Sequence, residues 1–126
     1  MADESNRRPG APIRAVVLEV GAWSSGPLLI AQTARQRRRG VRPAVGPFGA
    51  MLATRSIHGW GLVAPLRWLG LDRSGTVVAV GVLHARRLIR ASKPVRWIVE
   101  TPDWVAPAPI GERVRVVPIL AAWPDD

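Results

Sequence analysis

Twelve glycines and twelve prolines are spread along these 126 residues, and they cut the chain into short pieces. Short pieces with frequent turns suit a β-rich fold far better than a bundle of long helices. The length is right for one compact domain that buries about two-thirds of its unfolded surface. The apolar fraction of 48% is enough to supply its core.

The pieces between the turns have the length and composition of strands. "IRAVVLEV", then "GAWSSG", then "PLLIAQ" predicts a hairpin from Ile13 to Gln32, because a β-branched run meets a cluster of turn residues. "TARQRRRG" predicts a helix of two turns at most, with Thr33 as N-cap and Gly40 as C-cap. "VRPAVGPFG" is a loop, and "AMLAT" is a short strand. The clearest hairpin is "LRWLGL" with "TVVAVGVL", joined by "DRSG", whose Asp72 and Gly75 suit a tight turn. "VRWIVE" and "ERVRVVPIL" are two further strands on either side of a proline-containing loop. The expected architecture is mainly β, a compact antiparallel sandwich or distorted barrel with one short helix. A polar, disordered lead covers 1–12, the domain covers 13–119, and a tail covers 120–126.

Several chemistries are excluded by residue type. Without cysteine there is no disulfide, thiolate zinc site, iron–sulfur cluster or cysteine nucleophile. The start, "MADESNRRPGAPIR", has no apolar signal region, and no later apolar run approaches the ~18 residues that span a bilayer, so a cytoplasmic protein is expected. The net charge of +9 would attract nucleic acid, anionic lipid or acidic protein. The chain is also rich in Ala, Gly, Pro and Arg, residues of GC-rich codons, and that bias is the first explanation of the excess.

The reactive side chains have few companions. His58 offers an imidazole that could act as base or ligand, yet no carboxylate lies near it in sequence and His84 is the only other histidine. "GWGLVA" matches a dinucleotide-loop pattern, but Pro65 and a strand follow at once where a helix is needed. No catalytic residue, metal site or cofactor is expected. Trp68 and Trp97 lie inside strand-like runs and are expected in the core, whereas Trp60, Trp104 and Trp123 lie in loop or tail contexts suited to the surface. Arg35, Arg37, Arg38 and Arg39 form the densest basic cluster and are the polyanion candidates. The small-ligand candidates are His58, Trp60, Arg67 and Glu100. By alternation Arg67 should face opposite to Trp68, outward if Trp68 is in the core, with Glu100 as the carboxylate that approaches it.

In order and spacing, these pieces resemble the DUF192 family of bacterial and archaeal proteins, whose function is unknown. "LLIAQTARQRRRGV" is similar to its first signature through Ala31, Arg39 and Gly40. "AMLATRSIHGWGLVAPLRWLGLDRSGTVV" is similar to its central one through Ser56, His58, Gly61, Pro65, Leu66, Asp72 and Gly75. "WIVE" and "IGERV" look like its closing strand and Gly-Asp-x-Val. The likeness covers Ile13 to Val117 and departs at three positions, where Leu62 stands for Met, Arg67 for Asp and Gly59 for Thr. It implies a compact antiparallel β fold and supplies no activity. A small non-enzymatic binding or accessory domain, with another protein as partner, is therefore the first expectation. A ligand or enzymatic pocket near His58, or weak nucleic-acid binding through Arg35–Arg39, are the alternatives.

Overall fold

A computed structural model describes residues 12–30 and 49–122, and everything in them that is regular is β. The predicted helix at 33–40, the lead before Pro12 and Trp123 lie outside the described residues. β1 (Pro12–Val20) and β2 (Trp23–Ile30) form the first hairpin. It turns on Gly21–Ala22, with Gly21 in the left-handed region at φ 55°, as a two-residue hairpin loop requires. The turn is tighter than the sequence suggested, and Trp23 to Gly26 belong to the strand. Where β1 bulges between Val17 and Glu19, the Leu18 amide donates instead to the buried Ser25 hydroxyl at 2.9 Å.

β3 (Gly49–Leu52) pairs parallel with β2 and antiparallel with β8 (Trp97–Pro102). β5 (Leu66–Leu71) and β6 (Val77–Leu83) form the expected hairpin, and β9 (Arg115–Ala122) lies along β1. The seven strands run in the order β6-β5-β8-β3-β2-β1-β9. β9 continues to Ala122, three residues past the expected end of the domain. Every pair is antiparallel except β2 with β3.

This sheet curls until its ends meet. Thr76 bridges Arg113, the Val77 amide donates to Glu112, and the Gly111 amide donates to Val77, all beside the start of β9. The result is a distorted, partly closed barrel. Its interior is packed by Val16, Leu18, Leu28, Leu69, Val77 and Val99, with neighbours including Met51 and Val114. Trp97 packs against that cluster, and Trp23 ties β2 to the loop after β8 by donating its indole N–H to the Ala106 carbonyl at 2.8 Å.

The outer face is also apolar over part of its area. β4 (Ser56–His58) and β7 (Leu88–Arg90) form a separate two-stranded ribbon. Ile57 and Ile89 sit opposite each other in it and pack with Leu83, Val95, Ile98 and Trp68. Trp68 is thus covered on the outside of the barrel, with its indole lying over Gly81, where a Cβ would come within 2.7 Å of Nε1. That nitrogen is buried and has no hydrogen-bond partner among the described residues.

Arg67 faces opposite to Trp68 as expected, but its outward orientation, which depended on Trp68 filling the interior, is corrected by this arrangement. Trp68 takes the outer face, so Arg67 shares the inner one with Leu69, at the rim, where its Nε donates to the Asp103 carbonyl at 3.3 Å. The expected approach of Glu100 to Arg67 fails for the same reason. Glu100 is directly opposite Trp68 in the register, and Arg67 is opposite Thr101, so the carboxylate and the guanidinium occupy opposite faces of the sheet.

Candidate functional site

The ribbon and the loop that leaves it carry His58 and the exposed Trp60 and Leu88. β4 ends at His58 and the chain turns over Gly59, Trp60, Gly61 and Leu62, closed by the Leu62 amide donating to the Gly59 carbonyl at 3.2 Å. Gly61 takes φ 83°, the left-handed third position that favours glycine. Trp60 is left at the apex, 55% exposed. His58 Nδ1 accepts the Trp60 amide at 3.2 Å, which assigns the ring proton of the neutral form to Nε2. The indole meets the imidazole edge-on, with centroids 5.4 Å apart.

Gly59 is needed for a different reason. Any Cβ there would sit on the His84 carbonyl oxygen, with the carbonyl carbon 2.9 Å and Ala85 Cα 3.1 Å away. The close approach joins the 59–62 turn to the turn at 84–87, where the Arg87 amide donates to His84 and Arg86 holds φ 63°. Gly59 donates to the Arg87 carbonyl at 2.8 Å, and Arg86 donates to that of Gly59 at 3.3 Å.

Since Ile57 and Ile89 point to the sheet, alternation turns Ser56, His58, Leu88 and Arg90 to the solvent side. Leu88 is 66% exposed, opposite His58. Arg55, Arg86, Arg87 and Arg90 lie in or beside the two strands, and Lys93 and Arg96 follow them in the chain, all exposed but the half-buried Arg55. None of the six has an ion-pair partner among the described residues, where the one salt bridge joins Arg115 to Glu19 on β9 and β1. Between Asp72 and Glu100 the sequence holds no acidic residue, so nothing nearby in the chain offsets this charge.

The four ligand candidates do not converge. His58 and Trp60 touch each other on the ribbon, Glu100 is buried on the outer sheet surface between Ala50 and Trp68, and Arg67 is at the barrel rim on the other face. The polyanion candidates Arg35, Arg37, Arg38 and Arg39 lie outside the described residues. Trp104, at 71% exposed, is on the surface as expected. Among the described residues no three His, Asp or Glu side chains are grouped to hold a metal ion, and no helix is long and apolar enough to cross a membrane.

Asp72 is a carboxylate with a displaced titration and a structural task. Asp72 Oδ1 accepts from the Ser74 hydroxyl at 2.7 Å, the Thr76 amide at 3.0 Å and the Ser74 amide at 2.9 Å, folding the β5–β6 turn around itself. The Ser74 hydroxyl first, then the Thr76 amide, hold its pKa below the ordinary value.

The ribbon surface was missed in the sequence because three-residue strands are too short for alternation to register. A signal existed in the acid-free interval between Asp72 and Glu100, which holds Arg73, Arg86, Arg87, Arg90, Lys93 and Arg96. Compared with known protein families, curated proteins and solved structures, the chain matches none.

Proposed function

We propose that this chain is a small, non-enzymatic binding domain of the DUF192 kind, and that the solvent face of the β4–β7 ribbon is its binding surface. The observation that carries this reading is the exposure of Trp60 and Leu88 among cations that have no ion-pair partner among the described residues. Exposed apolar side chains rimmed by charge mark interaction surfaces, and Trp and Arg are the residues that most often dominate binding energy.

The family resemblance supports a structural use for the signature residues. His58 spends its Nδ1 lone pair on its own turn, Gly61 and Gly75 supply left-handed positions, and Asp72 folds a hairpin. The departures fit this chain's own geometry. A Thr in place of Gly59 would collide with the His84 carbonyl, so the ribbon and the glycine belong together. Arg67, where the family has Asp, bonds a backbone carbonyl at the barrel rim.

The test compares charge removal at two places. The full chain carrying Arg87→Ser with Arg90→Ser should bind a polyglutamate peptide and a single-stranded oligonucleotide at least about tenfold more weakly than the parent. Arg113→Ser with Arg115→Ser, an equal change of charge near β9, should leave both affinities nearly intact. Equal losses in the two variants would assign the attraction to net charge alone and overturn the proposed surface.

A further inference from the structure

We infer that the partner is an acidic, extended polypeptide segment that adds to the open edge of β7 as a third strand, an inference that rests on the binding-domain reading. The backbone geometry comes first. The Gly59 amide bonds the Arg87 carbonyl and the Ala91 amide bonds the Arg55 carbonyl, so the bonded positions of this antiparallel pair are the odd-numbered ones. The amides and carbonyls of Leu88 and Arg90 therefore point away from β4. Among the described residues no strand pairs with that far edge of β7.

An unpaired edge attracts any strand, and edge charges select among them. Arg86, Arg87 and Arg90 repel a second copy of this edge, while favouring an incoming strand rich in Glu or Asp. The apolar component favours polypeptide over nucleic acid. Leu88 at 66% and Val63 at 85% exposed are aliphatic and give bases no stacking surface, and Trp60 is a single indole already set edge-on against His58. Alternating side chains of an added strand would put apolar residues beside Leu88 on the solvent face and turn the acidic ones to the other face, the one that Arg87 shares by alternation.

Fluorescence anisotropy on the full chain tests this with four probes of matched charge: a labelled peptide of alternating Glu and Leu, the same with Ser for Leu, the Glu–Leu peptide N-methylated at alternate residues, and a single-stranded oligonucleotide. The Glu–Leu peptide is expected to bind at least about tenfold more tightly than the other three. Leu88→Ser should bring it down to the Glu–Ser affinity, and Arg87→Glu with Arg90→Glu should abolish the binding of both. Thermal melts establish that these surface variants remain folded. If the N-methylated peptide or the oligonucleotide binds as tightly as the Glu–Leu peptide while the Arg variant still weakens all probes, the added-strand inference fails and the binding surface stands. If the Arg variant changes nothing, the surface and the inference fail together.

Discussion

Replacing Gly59 with alanine sets two physical effects of opposite sign against each other. Gly59 has no left-handed φ, so its backbone conformation is open to alanine. By chain entropy alone the change would stabilise the fold by roughly 0.4–1 kcal/mol, through a less flexible unfolded state. The steric term opposes this. The new Cβ would overlap the His84 carbonyl oxygen, and the neighbouring atoms are also backbone, at 2.9 and 3.1 Å, so no side chain can swing aside. Relief requires the 59–62 turn to separate from the 84–87 turn. That separation breaks the bonds from Gly59 to Arg87 and from Arg86 to Gly59, at about 1 kcal/mol each. It also loosens Ile57 and Ile89 over the outer cluster, for about 1–2 kcal/mol more. The net expectation is a loss of about 2–4 kcal/mol. Urea unfolding followed by tryptophan fluorescence measures it, with the slope confirming that the unfolded state is unchanged. A midpoint equal to or above that of the parent would refute the close approach and, with it, the coupling of the ribbon to the turn that presents Trp60.

Other consequences are independent of that contact. Ser25→Ala should cost about 1–3 kcal/mol in the same assay, because it strands the Leu18 amide in the bulge of β1. Arg86→Gly should raise stability by up to about 1 kcal/mol, since it removes a left-handed arginine at φ 63°. Asp72 has a folded pKa below its unfolded value, so its contribution is present above the ordinary value of 3.8 and is lost as pH falls through the lower folded one. Acid titrations of stability should therefore show a limb below about pH 4 that Asp72→Asn reduces.

Legibility followed the distance along the chain over which each feature is decided. The β5–β6 hairpin was readable because Asp72, Ser74 and Gly75 form the turn among themselves. The β1–β2 hairpin was readable for the same reason, although Ser24 and Ser25 looked like turn residues and prove to be strand residues that bond Gly26 and Leu18. Strand order was not readable. Nothing local says that β8 lies between β5 and β3, or that β3 runs parallel to β2, since these pairings join segments far apart in sequence.

The misplacement of Arg67 has a more specific origin, in the assumption that a sheet has one apolar face. Here Leu69 and Val99 fill the barrel while Trp68 and Ile98, their neighbours along the same strands, are covered from outside by the ribbon. Once both faces are apolar, a tryptophan no longer says which side is the interior, and the arginine beside it can be the inward residue at a rim. The cover that confuses the pattern also creates the candidate site. A two-stranded ribbon laid over a barrel buries one side through Ile57 and Ile89, and must show the other to solvent along with at least one open edge. In this chain that exposed side carries Leu88 and Arg90 in place of small or neutral polar residues, which is why the covering element is the surface proposed for a partner.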